Sequence, residues 1–431
     1  MTAVRPAAGD VIQVCGGGPL SGTVRVSGAT KNAGLKLMAA ALLAPGVTTL
    51  RNLDPVLDLD VMLEVMSAIG AEVAWSGPSE LTIDASGPLV PQAPYELVTQ
   101  MRASINVLGP LLARCGEAHV AMPGGDNIGS RKLDMHFRGL QEMGAELRVV
   151  HGFIEARCSR LCGARISLDF PSVGATENLL TAAVLAQGST VIENAAREPE
   201  ISQLASLLNR MGAHVFGAGT TTIEVEGVDS LQAVDAEVMG DRIEAGTLMM
   251  ACGIAGGAIT VQGAQLAHLD MVVHKLGEMG IEIGPTPDGF TVRSEGRPRA
   301  VDVSTLPYPG FATDFMPLVV ALLATAEGSA IVTENVFDNR FGFVDELGRM
   351  GADVRNEGRH AVVRGVDRLS GAPVRAQDVR AGAALVLAGL SADGETRVLE
   401  PHHVDRGYPD LAEKLRSLGA AVRRIGEGVG E

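Results

Sequence analysis

The segment MPGGDNIGSRKLDMHF at 122–137 joins a Gly-rich turn, one carboxylic acid at Asp126, and two cations, Arg131 and Lys132. Glycines let the backbone take positive φ and approach a ligand closely, a guanidinium offers a planar fork to phosphate or carboxylate, and a carboxyl group can act as acid or base. Taken alone, these residues also describe an ordinary solvated loop, and that is the stronger reading of the loop by itself. Its company changes the balance. Lys31 and Asn32 in SGATKNAGL, Arg102 in MRAS, Arg242 in GDRIEAG, Arg380 in DVRAG and Arg406 in HVDRGYPDL are cationic or amide groups at segment edges. Most of them follow a strand pattern and precede an Ala-rich helical pattern, where helix N-termini add a positive dipole and free N–H donors. A second carboxylate, Asp314 in PYPGFATDFMP, lies between a Pro/Gly turn and an apolar helix and reads equally well as an N-cap. Asp58 and Asp60 in LDLD read as capping and surface groups, and GGGPLSG at 16–22 reads as a hairpin turn, since it has neither the Lys-Ser/Thr of a P-loop nor dinucleotide spacing.

The elements that must position these groups recur. An amphipathic helix ending, a glycine and a β-branched alternating segment appear in VMSAIGAEV, LQEMGAEL, LLNRMGAHV, LGEMGIEI, LGRMGADV and LRSLGAAV. Their glycines are Gly70, Gly144, Gly212, Gly280, Gly351 and Gly419, a period of about 70 residues, and each stands where a helix takes a left-handed C-terminal residue. A buried-type Ala/Leu helix, a Gly turn and a strand also recur six times, from MAAALLAPGVTTLRN at 38–52 to ALVLAGLSADGETRVLE at 384–400. Six units of two helices and about four strands are expected as two α/β clusters of three, with the Ala-rich helices central and the sheets outside. The expected domains are 30–239 and 1–29 plus 240–431, the N-terminal strand pair at 11–28 completing the sixth unit and linkers falling near 28–31 and 238–242.

Composition bounds the partners. At 431 residues the chain is long for one core, and 46% apolar with 20% charged residues fits a globular protein. A formal charge of −16 argues against a nucleic-acid or acidic-membrane surface, so an anionic ligand has to be held by a local cation cluster. Cysteines 15, 115, 158, 162 and 252 are odd in number and scattered, which predicts free thiols in a reducing cytoplasm. Cys158 and Cys162 have no second ligand pair nearby, and His402 and His403 have no partner at metal spacing, so no metal is expected. The longest apolar run, at 316–324, is too short to span a bilayer, and the first residues do not resemble a signal peptide.

With these residues assembled, the chain resembles the enolpyruvyl transferases, in their nucleotide-sugar branch, from about residue 11 to 425. The resemblance runs through SGATKNAGL, MRAS, PGGDNIGSR, FPSVGATEN, NAAREPEI, GDRIEAGT, FATDF, TENVFDNRF and DRGYPDLAEKL in order. It implies the enolpyruvyl transferase fold, two inside-out α/β domains of three βαβαββ-like repeats each. It also implies transfer of enolpyruvyl from phosphoenolpyruvate to the 3-hydroxyl of UDP-N-acetylglucosamine with release of phosphate, the first committed step of peptidoglycan precursor synthesis, without a cofactor. By position in the family's motifs, Lys31, Asn32, Arg131 and Arg406 would hold phosphoenolpyruvate, with Arg102 and Arg380 lining the anionic site. Asp126 would deliver a proton to the methylene carbon and Asp314 would take the hydroxyl proton. Arg131, Lys132, Leu133, Asp134 and Met135, with Ser172, Val173, Gly174 and Val336, would cradle the uridine nucleotide.

Three departures bear on chemistry. Asp126 stands where many members carry Cys, and a carboxyl of ordinary pKa ~3.9 must rise by about three units, or about 4 kcal/mol, to be half protonated at neutral pH. Thr30 is one residue more than a Gly-Ala-Lys-Asn pattern holds, and Lys132 stands where the resemblance implies Pro. They leave open an alternative acceptor such as UMP in nucleoside antibiotic biosynthesis, or a catalytically idle nucleotide-sugar binder.

Overall fold

The structure, a computed structural model, describes residues 9–126, 128–130 and 132–426. Among these the chain forms six four-stranded sheets and one two-stranded pair. Five of the six sheets follow one recipe, and in the sixth a distant strand takes the place of the hairpin's far strand. An edge strand runs parallel to the strand that leaves a buried helix, and that strand pairs antiparallel with the far strand of a hairpin whose near strand follows a second, amphipathic helix. In the third unit this is Arg165–Ser167, helix Val173–Ala183, Ser189–Glu193, helix Pro199–Arg210, then His214–Phe216 and Thr222–Glu226. Register is set by burial of alternate residues, as in Ile192 opposite Ile223.

The six glycines at the helix ends all take the left-handed conformation, with φ between 84° and 105°. Each lets the helix stop and the chain turn directly into the hairpin.

Contact grouping divides the chain into two units. Of the described residues, 28–126 and 132–239 form one, and 9–27, 128–130 and 240–426 form the other. Within the first, helices Leu35–Ala41, Leu108–Cys115 and Val173–Ala183 are central; within the second, Arg242–Ala255, Met316–Leu323 and Val379–Gly389 are. All residues of Leu35–Ala41, Met316–Leu323 and Val379–Gly389 are buried. A helix apolar all round has no face for water, so it must be enclosed, and here sheets and amphipathic helices enclose it. That is the inside-out arrangement. No helix of the described residues is long and apolar enough to cross a membrane.

The N-terminal strands correct one expectation. Val11–Cys15 completes the sixth sheet, pairing with Glu395–Leu399 and Ala421–Ile425. Leu20–Arg25 instead lies parallel to Gly257–Gln262 as the edge of the fourth sheet. GGGPLSG is therefore a link between two sheets and not a hairpin turn. In the first unit the corresponding edge is supplied by Ala236–Glu237, parallel to Leu50–Arg51. Each unit thus closes on itself with a strand from a distant part of the chain.

Thr30 has a local consequence. Residues Thr30–Gly34 form a π turn, in which the Gly34 N–H reaches back to the Ala29 carbonyl at 2.9 Å. One extra residue is absorbed without breaking helix Leu35–Ala41, which follows it immediately.

Candidate active site

In the first unit the candidate residues stand at or just before the N-terminal ends of the central helices. Lys31 and Asn32 lie in the π turn that leads into Leu35–Ala41. The Lys31 ammonium pairs with the Asp58 carboxylate. Asp58 and Asp60 are 1% and 5% exposed, so both are buried first-turn residues of helix Leu57–Ile69 rather than surface groups. Arg102 opens the turn Arg102–Val107, which runs into Leu108–Cys115. Ser172 caps Val173–Ala183, its hydroxyl accepting from the Ala175 N–H at 3.3 Å, and Val173 and Gly174 form the first turn.

Asp126 lies half-buried in the loop after strand Glu117–Ala121. Arg131 lies outside the described residues. Lys132 is exposed, Leu133 is buried, and Asp134 and Met135 begin helix Asp134–Glu142. The next residue, His136, is buried against Gly174 and hydrogen-bonds Asn178 at 3.2 Å. Burial, then the charge of Arg102, lowers its pKa to about 4, so the ring is neutral at physiological pH. The structure therefore brings the segments expected to hold the acceptor, 133–135 and 172–174, side by side.

The second unit presents a charge cluster. Asp314 does not cap a helix; Ala312 and Phe315 hold the flanking cap positions. Its two oxygens accept from Arg340 Nη2 at 3.0 Å and Arg380 Nε at 3.1 Å. Burial disfavours the carboxylate, but Arg380 and Arg340 outweigh it and hold Asp314 far below the usual carboxylate range. Arg380 sits in the first turn of Val379–Gly389, capped by Asp378, with its guanidinium 5.1 Å from the Tyr408 ring centroid.

Nη1 and Nη2 of Arg380 are buried, and their polar interaction among the described residues is with the Tyr408 side chain, at a geometry short of a well-formed hydrogen bond. Buried donors in native proteins are nearly always satisfied, and a guanidinium edge fits a carboxylate or phosphate.

Arg340 and Glu334, both in TENVFDNRF, are structural to the site. Buried Glu334 accepts from Thr305 and Thr313 hydroxyls and from the Val336 and Phe337 N–H groups, at 2.8 to 3.0 Å, and so holds the Val336 loop to Asp314's turn. A carboxylate after a strand and before a polar loop was the available signal. Ile128–Ser130 group with this unit, where the Ser130 N–H donates to Asp338 at 2.9 Å. Arg242 is buried at the start of Arg242–Ala255, 5.5 Å from the Tyr308 ring centroid. Arg406 follows helix His402–Asp405 and is half-buried. Among the described residues no cluster of His, Cys, Asp or Glu could hold a metal ion.

Comparisons with known proteins add to this geometry. The family model of EPSP synthase (3-phosphoshikimate 1-carboxyvinyltransferase) matches residues 14–415. UDP-N-acetylglucosamine 1-carboxyvinyltransferases of Corynebacterium jeikeium and Mycobacterium tuberculosis are 53% and 51% identical, over 96% of this chain and 99% and 98% of theirs. The solved enolpyruvyl transferase NikO from Streptomyces tendae is 27% identical, with TM-score 0.88 over 97% of this chain and 99% of that one. An EPSP synthase from Acinetobacter baumannii, 18% identical, shares the fold with TM-score 0.74 over 96% of this chain and all of that one.

Proposed function

The chain belongs to the EPSP synthase family of enolpyruvyl transferases, and from that membership we propose that it transfers enolpyruvyl from phosphoenolpyruvate to the 3-hydroxyl of UDP-N-acetylglucosamine, releasing phosphate, in peptidoglycan precursor synthesis. The observation that carries the acceptor is identity of about half the residues over nearly the full length of relatives that bear that activity in their names. Five free cysteines fit a cytoplasmic site of action.

The reaction adds the sugar hydroxyl across the enol double bond and then eliminates phosphate. A proton must reach the methylene carbon, the hydroxyl must lose one, and cations must hold the donor's carboxylate and phosphate as the tetrahedral ketal forms. Asp126 is the proposed proton donor to carbon and takes the proton back from the methyl group as phosphate leaves. Lys31, Asn32, Arg102, Arg131, Arg380 and Arg406 are the proposed donor-site groups, which the buried guanidinium of Arg380 beside the proposed base Asp314 supports. Residues 131–135, 172–174 and Val336 are proposed to hold the uridine nucleotide.

Asp314 is the proposed base for the hydroxyl. Clamped by two guanidiniums it is a weak base. An anion bound beside Arg380 would share that positive charge and raise the basicity of Asp314, so donor binding would prepare the base. Phosphate release measured with UDP-N-acetylglucosamine, UMP and shikimate 3-phosphate tests the whole reading. Turnover with UDP-N-acetylglucosamine and background rates with the other two are expected; preference for UMP, or no release with any acceptor, would overturn it.

A further inference from the structure

The helix Val173–Ala183 is central and apolar, yet it carries Glu177 and Asn178 facing into the first unit's interior. Each has partners on other elements. One Glu177 oxygen pairs with the Lys36 ammonium, and the other accepts from Asn106 Nδ2 at 2.7 Å. The Asn178 side-chain oxygen accepts from the Gly109 N–H at 3.0 Å, and its amide nitrogen meets His136 Nδ1 at 3.2 Å. Lys36, Asn106, His136, Glu177 and Asn178 are all more than nine-tenths buried. At Gly109 a side chain would lie 2.5 Å from the Asn178 carbonyl oxygen, so the two helices touch through backbone there.

The partners share a property. Lys36 follows the turn that bears Lys31 and Asn32, Asn106 lies in the turn opened by Arg102, His136 directly follows Met135, and Glu177 is three residues beyond Gly174. Every segment of the first unit that this reading assigns to substrate, apart from the loop of Asp126, is tied to residues 177 and 178 by one polar contact. A buried ion pair is a poor source of stability, because desolvation of both charges offsets their attraction, and an apolar pair of the same volume would serve the core as well. What such a network supplies is one geometry, since its donors and acceptors are satisfied in a single relative placement of the elements.

We propose that Glu177 and Asn178 are positioning residues: Glu177 sets the donor-binding segments at Lys31 and Arg102, and Asn178 sets the nucleotide segment at Asp134 and Met135, against the helix that starts at Ser172. The proposal rests on the function stated above and deepens it. It assigns two separable effects to adjacent residues of one helix.

The test is steady-state kinetics of the full chain with both substrates, beside thermal unfolding. In Lys36→Met/Glu177→Gln both charges are gone and Gln still accepts from Asn106, so the unfolding midpoint should stay within a few degrees of the parent. KM for phosphoenolpyruvate should rise about tenfold while KM for UDP-N-acetylglucosamine stays within about twofold. In Asn178→Ala the pattern should invert, with the nucleotide KM rising about tenfold. Should the double variant lose its cooperative transition, Asn106→Ala leaves the ion pair intact, frees only the Arg102 turn, and carries the same expectation for phosphoenolpyruvate. Unchanged KM values in folded variants, or a loss confined to kcat that tracks lost stability, would overturn the positioning role. A parent with no turnover would instead remove the function and the hub's role with it, whereas an active parent with insensitive variants removes the hub alone.

Discussion

Asp314→Asn removes one charge and keeps the shape of the side chain. Arg340 and Arg380, each 3% exposed, then lose the carboxylate they share, and Arg380 keeps only the charge of Asp241. Taking away one partner of a buried pair costs about 3 kcal/mol or more, because the remaining charge stays desolvated. At roughly 2–4 °C per kcal/mol for a unit of this size, the unfolding midpoint should fall by about 6–12 °C. The loss should depend on pH in a defined direction. Asp314's folded pKa is depressed, so its stabilisation is present above the unfolded carboxylate value near ~4 and is lost as pH falls toward the folded value. The gap between parent and variant is therefore full at pH 6 and shrinks below about pH 4. Inorganic phosphate should recover part of the midpoint in the variant, since an anion can occupy the two guanidiniums. Loss of the base should lower kcat by about 10²–10⁴. Differential scanning calorimetry from pH 3 to 7, with and without phosphate, and phosphate-release kinetics read all of this. A variant melting within about 1 °C of the parent would refute the stabilising clamp, and one turning over within about threefold of it would refute the base.

Three further outcomes follow from single residues. If Asp126 protonates carbon, Asp126→Asn loses at least about a hundredfold, and epoxides that alkylate thiols leave the parent active but inactivate Asp126→Cys; an Asn variant as fast as the parent removes the proton-donor role. His136, with its pKa lowered to about 4, takes up a proton later in the folded than in the unfolded chain, so stability should decline as pH falls from ~6.5 toward 4 by up to about 1.4 kcal/mol per unit. Chemical denaturation of His136→Gln should show a flatter profile across that window, and an identical profile would place the titration elsewhere. Burial raises the Cys252 thiol to about 11 while Cys162 is exposed, so mass spectrometry after brief iodoacetamide treatment should find Cys162 modified and Cys252 intact.

Much of the fold was legible because it is written in short-range pattern. A glycine after an amphipathic ending, met six times, is a backbone requirement that depends only on its neighbours, and all six take positive φ. The all-apolar helices announced their own enclosure, since no water-facing side can be drawn on ALLA or MPLVVALLA. Periodicity could not tell which sheet a strand joins: Leu20–Arg25 and Val11–Cys15 look like a hairpin, and their partners lie more than two hundred residues away.

Side chains divided in the same way. Asp314 and Lys31 could be singled out by type and by position before a helix, and family resemblance added Ser172 and named the roles of all three. That Lys31 meets Asp58, Asp314 meets Arg340 and Arg380, and Glu177 meets both Lys36 and Asn106 could not be read from the chain, because each pair is joined only when burial strips water from charges that sequence leaves far apart. Local composition determined which segments are helices, strands and turns. Tertiary structure decided which charges must share a dry interior, because only there does an unpaired one become too costly to keep.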